Sequence, residues 1–207
     1  MEKGKKQKLQ LVADYLESIG ELEDGLTAEK VVDRAEIIDD PERPDWIVFA
    51  VDRHQGILGA YYNPGQPMEA YITRFQLYAF NPVTKTIELS GENGEPEVHI
   101  DYQRVADVQT NVSFEFTRAR GGKHLCREQT DNEECLVGNL EEVKVFAESL
   151  IEKLNFSGVH DELSEFLEDD AIQEIVEKLK SAFKKRAVEK AEIAWESYNE
   201  GIKLRLV

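Results

Sequence analysis

The chain is poor in cysteine, in positive charge and in long apolar runs. Only two of its 207 residues are cysteines, Cys126 and Cys135, which are too few for the disulfide framework of a small secreted domain. No window approaches the ~20 apolar residues of a membrane-spanning helix, and the basic start MEKGKKQK leads into no apolar signal core. We therefore expect a soluble cytoplasmic protein whose two cysteines are a thiol pair.

Signatures of catalysis and metal binding are missing as well. The sequence holds no phosphate-binding P-loop, no G-x-S-x-G, no H-E-x-x-H and no dinucleotide fingerprint. His124, Cys126 and Cys135 lack the paired short spacings of structural zinc sites. We therefore predict no catalytic residue, no cofactor and no metal ligand.

What the chain has in excess is negative charge. Its 42 acidic and 25 basic residues give a net charge of −17. Such a field repels nucleic-acid phosphates and anionic lipid headgroups at long range, so we predict no nucleic-acid partner. With nucleic acid and anionic lipid disfavoured, we predict that the partner is another protein. The apolar fraction of 41% is enough for a packed core.

The first 44 residues are predicted to form an N-terminal helical segment. Apolar residues recur at helical spacing through Lys5–Ile19, and Gly20 follows where a left-handed cap costs little. The stretch Thr27–Ile38 is either a second short helix with Thr27 as its N-cap or the beginning of a strand. The Pro- and Asp-rich residues 39–44 then break the chain.

Beyond residue 44 the apolar period changes from 3.6 to 2, which predicts about six or seven short antiparallel strands. A polar connection is predicted over 119–138, and Asn139 with Glu142 resembles a capping box that opens an amphipathic helix to Leu154. Strands are predicted at 46–51, 57–62, 71–80, 87–89, 98–108 and 112–117, with turns at 52–56 and 63–67.

The last segment, 156–207, is predicted to be a C-terminal helical extension. An acidic stretch at 160–170 precedes apolar residues that continue at helical spacing from Ile172 to Gly201. Acids lie early on this helix and bases late, so two such helices could pair acid to base. That order predicts a homodimer through the C-terminal helix.

Two strand-like segments carry a recognisable pattern. The residues of the pattern are Tyr71, Ile72, Thr73, Leu77 and Phe80 in YITRFQLYAFNP, and Ile100, Tyr102, Val105 and Val108 in IDYQRVADV. On these residues the chain resembles the GRAM and bacterial pleckstrin-homology-like families over about residues 46–154. The resemblance implies an α+β fold, in which a small bent antiparallel sheet or barrel at 45–155 is capped by an amphipathic helix. Such folds usually bind ligands or proteins.

Five basic or imidazole side chains are candidate partner-binding residues. Arg53 and His54 lie at the predicted first hairpin turn, where phosphoinositide binders of the family carry several cations. One arginine with one histidine beside Asp52 argues against anionic lipid. The basic cluster near the strands contains Arg118, Arg120, Lys123, His124 and Arg127, of which the first three are the candidate binding residues. With Gly121-Gly122 among them, these residues predict an anion or acidic-peptide site, or else a solvated loop that offsets nearby acids.

The sequence therefore predicts a non-enzymatic binding or adaptor protein. The first alternative is an acidic chaperone or regulatory subunit of the secretion-chaperone type, which would hold an extended client segment. The second is a small hydrolase that uses Asp52 and His54 as acid and base.

Overall fold

The computed structural model describes residues 2–22, 25–60 and 68–205. It forms two compact units, Met1–His99 (unit 1) and Ile100–Val207 (unit 2). The predicted α+β class is confirmed, since the described residues form two antiparallel sheets with helices at both chain ends. Neither sheet closes into a barrel within the described residues. The boundary between the units lies inside the predicted 45–155 domain. The N-terminal helices belong to unit 1, where they share one core with its strands.

Unit 1 begins with two helices and a short strand, α1 (Glu2–Ile19), α2 (Ala28–Arg34) and β1 (Ala35–Ile38). Gly20 has φ 85° and its N–H donates to Leu16 O at 2.8 Å, so it ends α1 as predicted. Thr27 Oγ1 accepts from Lys30 N at 3.2 Å and caps α2. The stretch that the sequence left open is thus a helix followed directly by a strand.

The sheet of unit 1 also contains β2 (Ile47–Gly56), β3 (Ala70–Asn81), β4 (Thr86–Glu92) and β5 (Glu97–Ile100). Its order is β1-β2-β3-β4, and β5 pairs with β3. Alternate residues of β2 and β3 face the helices, as the two-residue period of a strand requires. The buried core on this face contains Val12, Leu16, Leu26, Val31, Ile37, Ile47, Phe49, Val51, Tyr78 and Phe80.

The predicted turn at 52–56 and the predicted strand at 57–62 are wrong. Strand β2 continues to Gly56, which pairs with Tyr71 at the far end of the hairpin. A Cβ on Gly56 would lie 1.9 Å from Ala60 O, so only glycine fits where the chain folds back over itself. Residues 57–60 form a turn with Leu58 at φ 52°, and the calls for 61–62 and 63–67 lie outside the described residues.

Unit 2 begins with a helix where the sequence predicted a strand through Val108. This helix is α3 (Tyr102–Gln109), and Asp101 caps it by accepting from Arg104 N at 3.1 Å. The elements that follow are β6 (Phe114–Arg118), a 3-10 turn (Arg120–Gly122), β7 (His124–Glu128), β8 (Glu134–Val137), α4 (Leu140–Glu152), α5 (Ser157–Leu163) and α6 (Asp169–Arg205).

The polar connection predicted over 119–138 is also wrong, because these residues form strands β7 and β8. They complete an antiparallel sheet in the order β6-β7-β8. Charged residues on its exposed face hid the alternation, as at Arg127, which pairs with Glu134 across the strands. The β7–β8 turn places Asn132 at φ 56°, a conformation that asparagine tolerates.

The helices of unit 2 build its core against α6, which runs without interruption for 37 residues. The predicted cap of α4 is present: Asn139 accepts from Glu142 N at 3.0 Å, and Glu142 accepts from Gly138 N at 2.8 Å. Helix α6 also packs against α3, α5 and β6. Buried residues on α4 and α6 are Val143, Phe146, Ala147, Leu150, Ile151, Ile172, Ile175, Val176, Leu179, Phe183, Ala187 and Ala191.

One carboxylate is buried in this unit, and it holds the ends of the β6–β7 pair together. Glu128 is 1% exposed and accepts from the backbone N–H groups of Asp131 at 2.6 Å, Thr130 at 2.9 Å and Ser113 at 3.4 Å. Burial alone would raise the pKa of Glu128, but these donors outweigh it and hold the pKa below its usual range.

Replacing this carboxylate should cost stability at neutral pH. We expect Glu128→Gln to lower the free energy of unfolding by about 1–2 kcal/mol at pH 7, because two charge-assisted acceptors become one neutral acceptor. Because the pKa of Glu128 is lower in the folded than in the unfolded state, its carboxylate stabilises the fold above about pH 4.3. This stabilisation is lost as the pH falls through the folded pKa.

The difference between wild type and Glu128→Gln should therefore shrink in acid, as measured by urea denaturation across pH. The matched control is Glu148→Gln, which changes an exposed residue on α4. A Glu128→Gln effect that stays constant down to pH 3 would contradict this role of the charge.

Candidate functional site

Three of the five predicted site residues lie together at the end of the β6–β7 hairpin. Arg118 is the last residue of β6, Arg120 begins the 3-10 turn, and Lys123 precedes β7. We call these three residues the tip cluster. Ala119 N donates to Lys123 O at 2.9 Å and closes the turn. The backbone reverses through Gly121 and Gly122 at φ 72° and 77°, which favours glycine at both positions.

The tip cluster is open to solvent. All three side chains are exposed. A Cβ built on either tip glycine would meet no atom within 4 Å, so a ligand could approach the backbone as well. Among the described residues, none of the three cations has an ion pair or a side-chain hydrogen bond. Exposed, unpaired cations fit both readings of the sequence, so the binding site and the solvated loop both stay predictions.

Seven other cations of unit 2 behave differently, because they are paired with acids of the same unit, whereas the exposed Lys185 forms no ion pair among the described residues. The pairs are Arg127–Glu134, Lys144–Glu192, Lys153–Glu133, Lys178–Glu174, Lys180–Glu177, Lys184–Glu152 and Arg186–Asp107. Against that background, three unpaired cations within one turn form a local positive patch on an acidic chain. Such a patch can donate several charge-assisted hydrogen bonds to carboxylate or phosphate oxygens.

An aromatic cluster holds the hairpin to the C-terminal half of α6. Phe116 of β6 packs on Trp195 at 5.1 Å and on Tyr198 at 5.6 Å between ring centroids. His124 Nδ1 lies 2.9 Å from Tyr198 Oη. The sequence placed Trp195 and Tyr198 on a helix but gave no sign of what they contact. Because the cluster anchors both strands next to the tip, it fixes where the three cations stand.

Arg53 and His54 lie in unit 1 and cannot converge on one ligand. Both are in the middle of β2, and successive residues of a strand point to opposite faces. Arg53 lies on the helix-facing side, directly across from Arg74. His54 lies on the other side, across from Thr73. The predicted cationic turn is absent because the strand continues through it.

His54 takes part in a hydrogen-bonded network with two neighbours. Its Nε2 lies 2.9 Å from Asp52 Oδ2, and its Nδ1 lies 3.0 Å from Thr73 Oγ1. The carboxylate accepts from the Nε2–H of His54, and the direction of the bond between Nδ1 and the threonine hydroxyl depends on the tautomer of the ring. Tyr71 packs edge-on against His54 at 5.3 Å and stacks on His99 at 4.7 Å.

This network resembles an acid–base–nucleophile triad in its connectivity, which is relevant to the hydrolase alternative. Nucleophilic catalysis needs a hydroxyl that can reach a substrate carbon. Thr73 is 5% exposed and lies in the middle of β3, so its hydroxyl is not presented to a substrate. The contacts are better explained as cross-strand stabilisation of the β2–β3 pair.

Within the described ranges, no group of three His, Cys, Asp or Glu side chains is arranged to hold a metal ion. No helix in the described part of the chain is both long and apolar enough to cross a membrane. No protein-family model, curated protein or solved structure matches this chain. The candidate site consequently stands on the geometry of the tip cluster alone.

The cross-strand role of Thr73 predicts energetic coupling with His54. In a double-mutant cycle of Thr73→Val and His54→Leu, we expect a coupling energy of about 0.5–1.5 kcal/mol, because either change removes the same hydrogen bond. Urea denaturation of the four proteins measures it. Strictly additive losses would show that the two side chains contribute independently.

Proposed function

We propose that this protein is a non-enzymatic adaptor that binds an acidic segment of another protein through the tip cluster. The supporting observation is that Arg118, Arg120 and Lys123 are exposed at one hairpin tip and form no ion pair among the described residues, whereas seven other cations of unit 2 are ion-paired. Three donors in one turn match two or three carboxylates on a flexible segment. Leaving exposed cations without intramolecular partners keeps them available for such a ligand.

The net charge of the chain favours a short acidic segment over a membrane surface or a nucleic acid as the ligand. A membrane surface or a nucleic acid presents anions over a wide area, and most of them would face a protein of net charge −17. A short acidic segment needs to contact the tip cluster alone. The proposed interaction is weak and salt-sensitive, because exposed charge pairs are screened over a Debye length of about 8 Å at physiological salt.

A pleckstrin-homology-like relationship also remains a proposal. Its support is the order of elements in unit 2, where three antiparallel strands are followed directly by the amphipathic helix α4. The resemblance implies a capping helix after the last strand, as α4 is here, whereas its matched strand residues 71–80 lie in unit 1. The basic tip lies between the first two strands of unit 2.

Reversing the charges of the tip cluster should abolish binding of an acidic peptide. We expect Arg118→Glu/Arg120→Glu/Lys123→Glu to weaken binding of a fluorescein-labelled Glu-rich peptide by more than about tenfold at low salt, because three attractive charges become repulsive. A tenfold loss of affinity corresponds to about 1.4 kcal/mol. Fluorescence anisotropy with the full-length chain measures this. The matched control is Lys5→Glu/Lys6→Glu/Lys8→Glu, which changes three exposed cations of α1 and gives the same net charge.

Equal loss in both triple variants would contradict the proposal, because it would reduce the effect to net charge. Vesicles containing phosphatidylserine and a single-stranded oligonucleotide serve as further probes. Binding of the wild type to vesicles or to the oligonucleotide, but not to the acidic peptide, would also overturn it.

The homodimer through the C-terminal helix stays a prediction. The ion pairs of α6 within its own chain weaken the charge argument on which this prediction was based. Bases on α6 already have partners in their own chain, as in Lys178 with Glu174 at 2.6 Å and Arg186 with Asp107 at 3.2 Å. Matching acid to base between copies would have to break these pairs. The mass in solution at low salt and high concentration tests it, and a strict monomer would contradict the dimer.

A further inference from the structure

The two cysteines, 126 and 135, lie directly opposite each other on neighbouring strands. Cys126 of β7 pairs with Cys135 of β8, and both thiols are free. Directly opposed residues of an antiparallel pair point to the same face. Glu128 N donates to Glu133 O at 2.8 Å, which makes that pair a hydrogen-bonded one. The cysteine pair is two residues away along the ladder, so it is hydrogen-bonded too.

This register suits a covalent link. The Cα atoms of a hydrogen-bonded antiparallel pair are about 5.5 Å apart, and disulfides usually join Cα atoms about 4.4–6.8 Å apart. The Cβ atoms of opposed residues are about 4.5–5.5 Å apart, widest in hydrogen-bonded pairs, whereas a disulfide brings them to about 3.8 Å. A small local closure is needed, and a bond held under such tension is readily reduced.

The two thiols differ in access. Cys126 is fully buried, and burial, with a smaller contribution from Cys135, raises the pKa of its thiol to about 12. Cys135 is half-exposed and lines an open groove of about 460 Å³ between β8 and α4. Leu136 and Val145 in the same groove are 54% and 66% exposed. A small reagent can therefore reach Cys135, whereas Cys126 is within reach of Cys135.

We propose that Cys126 and Cys135 form a reversible dithiol–disulfide site that is oxidised by low-molecular-weight disulfides such as oxidised glutathione. Cys135 attacks one sulfur of the reagent, forms a mixed disulfide and expels one thiolate. Cys126 then attacks Cys135 Sγ, forms the cross-strand disulfide and expels the second thiolate. The two protein thiols lose two electrons, the reagent is reduced to two thiols, and the two thiol protons pass to the departing thiolates.

The order of the two steps follows from the burial of Cys126. A deeply protonated thiol is a slow nucleophile, because the thiolate is the attacking species. The mixed disulfide at Cys135 should therefore accumulate first, and its conversion to the cross-strand disulfide should become faster as pH rises. A reducing thiol should return the protein to the dithiol form.

The test treats the full-length protein with oxidised glutathione and follows intact mass and thiol alkylation over time. We expect the glutathione adduct to form first and then to be replaced by a species that lacks two hydrogens. Cys126→Ala should stop at the adduct, and Cys135→Ser should react more than about tenfold more slowly. In urea, both cysteines should react at similar rates, which provides the matched control for the effect of the fold.

Three results would overturn the proposal. They are equal reactivity of Cys135→Ser and wild type, an adduct that never resolves at any pH, and a disulfide-linked dimer as the main product. If Cys126→Ala does not fold, peptide mapping of the first adduct on the wild type decides the same question. An adduct at Cys126 would then contradict the proposed order of attack.

Discussion

The packing of α6 against the β6–β7 hairpin is the contact on which the proposed binding surface of unit 2 depends. Phe116 and His124 on the two strands meet Trp195 and Tyr198 on the helix. Burying large aromatic side chains supplies much of the stabilisation in a small sheet. Because the contacts lie at the tip end of both strands, the same packing that stabilises the unit also holds three cations at the end of a rigid hairpin.

The cations of unit 2 differ in whether acidic side chains pair with them. On α4 and α6 the bases lie within reach of acids on neighbouring turns or helices, so their charges are largely compensated within unit 2. At the hairpin tip the three cations form no ion pair among the described residues, and the turn between them holds two glycines. A chain that is strongly acidic overall can thus carry a local positive surface, since screening makes short-range arrangement more important than net charge.

Helix ends and the longest strands could be predicted from the sequence. Gly20, Thr27 and Asn139 cap helices through their own backbone or side-chain geometry, which depends on the nearest residues alone. Strand β3 was predicted at 71–80 and spans Ala70–Asn81. The continuation of β2 to Gly56 could not be predicted, because its polar second half is held by pairing with β3. Strands β7 and β8 within residues 119–138 were missed for another reason, because charges on the exposed face concealed their alternation.

The sequence by itself determined the α+β class, the acidic charge and the identity of the three clustered cations. Tertiary structure decided that those cations form no ion pair among the described residues, that Arg53 and His54 lie on a strand, and that Cys126 lies opposite Cys135. Arg53 and His54 point to opposite faces because pairing with β3 extends β2 through them. Cys126 lies opposite Cys135 because of the register of β7 and β8, since a shift of one residue exchanges the faces of a strand.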